Sequence, residues 1–258
     1  MHSVRYGSGR PLVLVPGVGA SADTWRFIVA DLAAQREIVA VDLPGMGRTP
    51  MFTGEVTLAR YADALESFLR DAGLADADLV GSSLGARLVL EMARRGLGRS
   101  TVALDPGGFW NPVQKKIFGS SLGASVALVR ALRPALPTLL ANPVGRTLLL
   151  AQLSARPWAL PEDFALSELR SLADSLGSSP SIRALARGPD QAGAPAGTLP
   201  GPILMVWGRQ YRVTTPSQAG RAANLFPDAH IELFDSCGHF PHWDQPERTA
   251  RTILTATA

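Results

Sequence analysis

The sequence predicts an α/β fold in which a mostly parallel sheet is flanked by helices and interrupted by an inserted helical cap. Short apolar stretches bounded by turn residues recur in residues 1–110 and 187–258, as expected of strands covered on both faces. Stretches with helical spacing separate them, and this alternation implies parallel pairing through right-handed crossovers. In residues 111–186 the alternation stops, and only helix-like stretches and prolines remain. We therefore expect a core built from the first two ranges and a cap built from the third.

The predicted elements follow the apolar spacing along the chain. Strands are predicted at the continuous apolar runs 11–15, 37–41, 78–80, 101–104, 203–208 and 230–234. Core helices are predicted where apolar residues recur at helical spacing, at 22–33, 58–72, 86–95 and 246–254. Cap helices are predicted near 121–132, 144–153 and 161–176, and a Pro/Gly/Ala-rich return linker at 188–201. Chemistry in such folds gathers at the carboxyl ends of the strands, so the loops there are the first candidates for a site.

Composition limits the classes of protein to which the chain can belong. With 258 residues, of which 46% are hydrophobic and 18% charged, the chain can bury a large core and does not have a disordered composition. The net charge is +3, and Lys115 and Lys116 are the only lysines. No basic run or aromatic-basic stripe is present, so we expect no nucleic-acid partner. Cys237 is the single cysteine, which excludes an intramolecular disulfide and a cysteine metal cluster.

Apolar runs also bear on the location of the protein. The N-terminus lacks the apolar segment of a signal peptide, and no apolar run reaches membrane-spanning length. We therefore expect a cytoplasmic protein with no membrane span. The expected partner is a small apolar molecule, because the predicted cap is apolar.

A serine between two glycines stands where the third predicted strand meets the next helix. Ser83 is the centre of the Gly-x-Ser-x-Gly pentapeptide 81–85. A serine in a sharp strand-to-helix turn is typical of a nucleophile elbow, since the turn strains its backbone and the glycines let strand and helix approach. The free N–H groups and the positive dipole end of the helix face the same point. Ser83 is therefore the predicted nucleophile.

An identical pentapeptide at 119–123 has a different context. The residues before it, Gln-Lys-Lys-Ile-Phe, have no strand character, so no strand-to-helix turn is expected there. We interpret its central residue, Ser121, as a helix cap or as part of a small-residue helix contact.

A serine hydroxyl needs a base that takes its proton. His239 lies in a loop directly after the last predicted strand, and this loop opens on the same side of the sheet as Ser83. A histidine that follows the serine in chain order matches the order of nucleophile, acid and base in this architecture. His242 is the weaker alternative, because packing or capping of the following helix accounts for it better.

Five segments together make the chain resemble the α/β-hydrolase fold family, close to the serine-type capped hydrolases that include esterases and C–C bond hydrolases. They span nearly all of the chain outside the cap: Pro-Gly-Val-Gly at 16–19, Asp-Leu-Pro-Gly-Met-Gly-Arg-Thr at 42–49, the pentapeptide at 81–85, Trp-Gly at 207–208 and Gly-His at 238–239. The resemblance implies an oxyanion hole made of the backbone N–H groups of Val18 and Leu84, with no metal and no organic cofactor. Serine instead of aspartate at the elbow argues against haloalkane dehalogenase and epoxide hydrolase chemistry.

The acid of the implied triad is the point at which the chain departs from the family. Relatives usually carry Trp-Gly-x-x-Asp after the penultimate strand, whereas this chain has Tyr211 at that position. A phenol with a pKa near 10 does not act as a carboxylate at neutral pH. Either Asp105, at the end of the preceding strand, takes the role, as in some branches of the family, or Ser83 and His239 form a weakened dyad without an acid. Asp105 is favoured over its ordinary turn interpretation, whereas Asp42 is better explained by a turn.

These features predict a serine hydrolase of small to medium apolar carboxylic esters that uses a Ser-His-Asp triad with a relocated acid. The apolar cap is expected to line a pocket with four aromatic residues, Phe109, Trp110, Trp158 and Tyr211. One alternative is a C–C bond hydrolase of diketones or ring-cleavage products, which uses the same triad. The other is a non-hydrolytic binding or cyclase-like protein with a degenerate triad, which the tyrosine at the usual acid position favours.

Overall fold

The computed structural model describes residues 1–210 and 217–258, and a seven-stranded sheet lies at its centre. The strands are, in chain order, β1 (Ser3–Tyr6), β2 (Pro11–Val15), β3 (Glu37–Val41), β4 (Asp78–Ser82), β5 (Thr101–Leu104), β6 (Ile203–Gly208) and β7 (His230–Phe234). Their spatial order is β1-β3-β2-β4-β5-β6-β7, and all neighbours are parallel except β1 and β3. The strands predicted from the apolar runs and the mostly parallel sheet are confirmed.

Eleven α-helices flank or cover the sheet in the described part of the chain. Those before the cap are α1 (Val29–Ala33), α2 (Leu58–Asp71) and α3 (Leu84–Arg94). The range 111–186, predicted to form the cap and called the cap below, contains α4 (Pro112–Ala131), α5 (Leu136–Ala141), α6 (Pro143–Leu150), α7 (Glu162–Asp174) and α8 (Ser178–Arg187), of which the last ends one residue beyond it. The helices after it are α9 (Ser217–Leu225), α10 (Pro241–Asp244) and α11 (Pro246–Ala256).

Alternate residues of the central strands face opposite helical layers, which explains their continuous apolar runs. In β2, Val13 and Val15 are fully buried against the layer that contains α2 and α3. Leu12 and Leu14 are fully buried on the other face, with Trp25 and residues of α11. Complete burial of such a side chain stabilises the fold by about 1.5–3 kcal/mol, so both faces of each central strand need apolar residues.

The strand order brings the predicted site segments together at one edge of the sheet. β4 lies between β2 and β5, and β6 and β7 follow on the same side. Ser83 and Asp105 come directly after the carboxyl ends of β4 and β5, and Val18 is the third residue after the end of β2. Because neighbouring parallel strands lie about 4.8 Å apart, these three loops are neighbours in space.

One apolar cluster consists mainly of cap residues, joined by Phe240 and Trp243. The first helix of the cap is longer than the apolar spacing predicts. Helix α4 begins at Pro112, not near residue 121. Asn111 forms a capping box with Gln114: the Asn111 side chain accepts the Gln114 N–H at 2.8 Å, and the Gln114 side chain accepts the Asn111 N–H at 2.9 Å. The first turns of α4 carry two lysines, which weaken the apolar periodicity, so the capping box and not the pattern marks the start of the helix.

Other differences from the sequence prediction have simple causes. The helix predicted at 22–33 is a 3₁₀ turn, Ala22–Trp25, followed by α1. Strand β1 is a partly exposed edge strand without an apolar run, and α8 contains Pro180, so neither is predicted by the pattern. In the described ranges, no single helix is long and apolar enough to cross a membrane, although the bent pair Pro112–Ala131 and Arg133–Ala141 passes jointly on length and composition.

The second pentapeptide lies within α4 and makes no turn. A Cβ on Gly119 would lie 2.7 Å from the Cβ of Ala186, so the small residue allows α4 to approach α8 closely. The Ser121 hydroxyl donates to the carbonyl oxygen of Phe118 at 3.3 Å, within the same helix. This copy is part of a helix contact, in agreement with its interpretation from context.

Candidate active site

The turn between β4 and α3 holds Ser83 in a strained backbone conformation. Ser83 has φ 56° and ψ −112°, a combination that costs a residue with a side chain about 1–3 kcal/mol. A Cβ on Gly81 would lie 2.2 Å from the carbonyl oxygen of Gly85, and a Cβ on Gly85 would lie 2.1 Å from that of Val15. Both glycines are therefore required by the close approach of helix and strands. This is the geometry of a nucleophile elbow.

Two backbone N–H groups beside Ser83 are available to a reacting oxygen. Leu84 is the first residue of α3, where an N–H has no partner within its helix. Val18 follows Gly17, and a Cβ on Gly17 would lie 3.2 Å from the Cβ of Ser83, so this loop lies directly against Ser83. Within the described residues, neither N–H donates to a protein acceptor. Two such donors can hold a developing oxyanion.

The loop after β7 carries His239 and is fixed to the cap. The His239 N–H donates to the carbonyl oxygen of Leu153 at 2.9 Å. The Asp244 carboxylate accepts the N–H of Gly238 at 2.6 Å and that of Ala155 at 2.8 Å, so one side chain holds both loops. Burial lowers the pKa of His239 to about 3, which leaves the imidazole neutral at neutral pH and able to accept a proton.

Ser83 and His239 line one cavity beneath the cap. Val18 lines the same cavity, and most of the remaining wall is apolar. The apolar wall comes from α4, α7, the loop that carries His239 and the following helix α10: Phe118, Leu122, Leu169, Leu172, Phe240 and Trp243. The structure thus brings the predicted nucleophile, the predicted base and one predicted oxyanion donor to a single space.

Asp105 lies at the end of β5 and is fully buried, with φ 46°. It lines a second, smaller cavity together with Ser83 and His239. Its two carboxylate oxygens accept the Gly208 N–H at 3.3 and 3.4 Å. Burial raises the pKa of Asp105 well above its ordinary value; the Gly208 N–H opposes this rise, and the charge of Asp244 adds to it. A carboxyl group in this position reaches the same small space as the serine and the histidine.

The four aromatic residues predicted for the pocket have different locations. Trp110 lines the smaller cavity and stacks on Phe118, with ring centroids 4.6 Å apart. Phe109 lines neither cavity, because its ring is buried against other aromatic rings of the core. Trp158 lies in the 3₁₀ turn Pro157–Ala159 and is 52% exposed, so it too lines neither cavity. Tyr211 lies outside the described residues.

Two buried carboxyl groups near the cavity are not indicated by any motif. Asp244 follows the histidine loop by a few residues, and that closeness is its only signal. Glu168 lies between Phe164 and Leu172 at four-residue spacing, so the signal is an acid on the apolar stripe of α7. In the described ranges, no group of three or more His, Cys, Asp or Glu residues is placed to hold a metal ion.

His242, the weaker alternative for the base, is buried against Trp25, with ring centroids 4.4 Å apart. It lines neither cavity. Within the described residues, neither of its ring nitrogens has a hydrogen-bond partner. Burial, with a smaller repulsion from His239, lowers the pKa of His242 to about 3. This histidine serves packing.

The chain is similar in sequence and in structure to proteins of one fold family. A family model for the alpha/beta hydrolase family matches residues 12–252. An uncharacterized protein of Mycobacterium tuberculosis is 25% identical over 255 residues, which cover 94% of this chain and 73% of that protein. A 2-hydroxy-6-oxononadienedioate/2-hydroxy-6-oxononatrienedioate hydrolase of Dechloromonas aromatica is 26% identical over 270 residues, covering 98% of this chain and 89% of that one. A thermophilic esterase from Thermogutta terrifontis shares the fold, with a TM-score of 0.75, 20% identity, and coverage of 98% and 91%. The chain belongs to the alpha/beta hydrolase family.

Proposed function

We propose that the protein is a serine hydrolase that cleaves small to medium apolar carboxylic esters. Family membership supports hydrolysis as the class of reaction. The observation that carries the proposal is the single cavity, largely apolar, that Ser83 and His239 line together beneath the cap. An apolar cavity with a few polar groups can bind an apolar acyl chain against its apolar wall while the ester carbonyl lies at the polar groups, here Ser83 and His239.

In the proposed reaction, Ser83 Oγ attacks the ester carbonyl carbon while His239 takes the hydroxyl proton. The tetrahedral intermediate collapses, the C–O bond to the alcohol breaks, and His239 returns the proton to the leaving oxygen. Water, deprotonated by the same imidazole, then attacks the acyl carbon. The bond to Ser83 Oγ breaks, His239 returns the proton to that oxygen, and the acid is released. Because the buried imidazole is neutral at neutral pH, it is ready to act as the base.

The negative charge of the intermediate requires donors at fixed positions. The N–H groups of Val18 and Leu84 supply them in this proposal, since both lie beside Ser83 and neither donates to a protein acceptor in the described part of the chain. Removal of one such donor typically lowers turnover by about 10²–10³.

Asp105 is proposed as the acid that orients His239. The carboxylate is costly in its buried position, as its raised pKa indicates. A protonated imidazole beside it supplies the missing opposite charge, so the ion pair becomes favourable only when His239 has taken the proton. The acid would therefore stabilise the charge that develops during the reaction and not the resting state.

The test is acyl transfer at Ser83. We expect a burst with p-nitrophenyl butyrate and covalent labelling of Ser83 by a fluorophosphonate. Ser83→Ala should lose both signals. Ser121→Ala is the matched control from the identical pentapeptide in α4, and it should keep both. Wild-type protein that shows neither burst nor labelling refutes the proposal.

C–C bond hydrolysis is the second candidate, favoured by the similarity to the Dechloromonas aromatica hydrolase. The same serine and histidine would act on a carbonyl carbon whose leaving group is carbon instead of oxygen. Turnover of a vinylogous diketone with a larger kcat/KM than that of p-nitrophenyl butyrate would favour this reaction.

A further inference from the structure

Glu168 places a carboxyl group in the wall of a largely apolar cavity. It lies on cap helix α7, is 7% exposed, and lines the cavity that also contains Ser83 and His239. A buried acid without a charged partner within hydrogen-bond reach is rarely tolerated for packing alone. Its only hydrogen-bond partner in the described residues is a hydroxyl, that of Thr24.

The hydrogen bonds around Glu168 locate its proton. The indole Nε1–H of Trp243 donates to Thr24 Oγ1 at 3.1 Å, because an indole nitrogen can only donate. Thr24 in turn donates its hydroxyl proton to Glu168 Oε2 at 3.2 Å. Oε2 therefore acts as the accepting oxygen, and the acid proton belongs on Oε1. Within the described part of the chain, Oε1 has no protein partner, so it is left for the cavity that Glu168 lines.

The charge state agrees with this geometry. Burial raises the pKa of Glu168 to about 8; the Thr24 hydrogen bond and Arg26 oppose the rise, and Asp23 adds to it. Glu168 is consequently a neutral acid at neutral pH. A carboxylic acid kept neutral by apolar surroundings is a hydrogen-bond donor.

We propose that the Oε1–H of Glu168 donates a hydrogen bond to an acceptor oxygen of the substrate. The preferred substrate is thus an ester whose chain is apolar except for one neutral acceptor, a keto or ether oxygen, away from the scissile carbonyl. A carboxylate on the substrate is disfavoured, since it would be buried in the same cavity without a cationic partner among the described residues that line it. This inference rests on the proposed ester hydrolysis and adds a specificity determinant to it.

The experiment compares p-nitrophenyl levulinate, a keto ester, with p-nitrophenyl valerate of equal chain length, and repeats the comparison with the two next longer homologous pairs. We expect the wild-type kcat/KM to be higher for the keto ester of at least one pair by about tenfold, the value of one additional satisfied hydrogen bond to a buried group. Glu168→Gln keeps a donor of similar shape and should keep the preference. Glu168→Met has a similar length without a donor and should reduce the ratio to about one. Glu162→Met, an exposed position on the same helix, is the control and should leave both rates unchanged.

The pH dependence separates a donor from a merely structural acid. The titratable and charged groups around Glu168 are Asp23, Arg26, Asp163 and His239. His242 packs against Phe240 and Trp243, which line the same cavity. The two histidines have pKa values of about 3 and stay neutral in the alkaline range, so they do not change the ratio there. The wild-type preference should therefore fall as the pH rises through about 8, and the Gln variant should show no such fall.

The outcomes distinguish the two proposals. The role of Glu168 is overturned if the wild type hydrolyses both members of every pair at equal rates. It is also overturned if Glu168→Met melts at the wild-type temperature and keeps the full preference. Either result leaves the proposed ester hydrolysis standing. If no ester is hydrolysed and Ser83 is not labelled, the proposed function is overturned and the inference with it.

Discussion

Replacement of Asp105 by Asn tests the acid of the proposed triad with little structural disturbance. Asp105 has φ 46°, and asparagine adopts this left-handed region as readily as aspartate. The amide also fits the space of the carboxyl, and its oxygen can still accept the Gly208 N–H. The change therefore removes the negative charge and little else.

The expected loss of activity is large. Removal of the acid from a serine triad lowers turnover by about 10⁴, which corresponds to about 5 kcal/mol of transition-state stabilisation. The imidazolium formed during attack loses its buried counter-charge, and the resting enzyme loses nothing comparable. We therefore expect a fall in kcat of about 10³–10⁴ with a nearly constant KM for p-nitrophenyl butyrate.

Although Asp105→Asn should lower activity, it should not lower the stability of the folded protein. The folded pKa of Asp105 is raised above the unfolded value, so the unfolded chain releases this proton first as the pH rises. The buried carboxyl therefore costs stability at pH values above the unfolded pKa, by about 1.4 kcal/mol for each pH unit that separates the unfolded pKa from the folded one. The neutral Asn variant should melt at or above the wild-type temperature at neutral pH.

Asp42 provides the matched control, since it is a second buried aspartate with a structural environment. It accepts the N–H groups of Ala22 at 2.8 Å and of Arg48 at 2.9 Å. Asp42→Asn should lower stability by about 1–3 kcal/mol and leave kcat of the folded protein unchanged. If Asp105→Asn retains activity within a few-fold of wild type, the orienting acid lies elsewhere or is absent, and the reasoning is wrong.

Three further changes test other parts of the structure. Gly85→Ala should destabilise the protein by about 1–3 kcal/mol, as overpacking does, because its Cβ would lie 2.1 Å from a backbone oxygen. Gly123 is the equivalent residue of the second pentapeptide, and a Cβ there would have nothing within 4 Å. Gly123→Ala is therefore the control and should be neutral or slightly stabilising in urea unfolding. The folded pKa of His242 is lowered to about 3, so its stabilising contribution is complete above the unfolded pKa and is lost as the pH falls toward 3, by about 1.4 kcal/mol per pH unit. His239 behaves in the same way, whereas Glu168 and Asp105, whose folded pKa values are raised, change stability in the opposite direction. His242→Phe should therefore lower the slope of stability against pH by about 1.4 kcal/mol per pH unit relative to wild type, and an unchanged slope would contradict the assignment. Asp244→Ala leaves the N–H groups of Gly238 and Ala155 without their acceptor and should lower stability by about 2–5 kcal/mol. It should also speed hydrogen exchange at the His239 amide. An unaltered exchange rate would show that Asp244 is not needed to hold the His239 loop.

Most of the fold can be predicted from the sequence because its central strands are buried on both faces. The runs at β2 to β5 contain apolar residues at successive positions, and only such a sheet has use for them. The edge strand β1 gives no such signal, since it is half exposed. Helix α4 is set by the side chain of Asn111, a local contact that apolar spacing does not register.

The residues of the candidate site likewise fall into those that the sequence predicts and those that it does not. Ser83 and His239 are predictable because each lies in a segment whose backbone geometry constrains the sequence, a turn that requires Gly81 and Gly85 and a loop that requires Gly238. Residues that depend on which helix of the cap faces the cavity are not predictable in this way. Glu168 reaches the cavity and Trp158 does not, and this follows from how α7 and the turn near Trp158 pack, which no local pattern encodes.

The carboxylate of Asp244 has a consequence for how the cap can move and how it can be exchanged. It accepts hydrogen bonds from the backbone N–H groups of Gly238 and Ala155, and the His239 N–H donates to the carbonyl oxygen of Leu153. In the proposed mechanism, a cap joined to the His239 loop in this way cannot lift on that side without displacing the imidazole. For the same reason, a foreign cap grafted onto this core would need to bring a matching stretch of backbone, or the His239 loop would lose these hydrogen bonds.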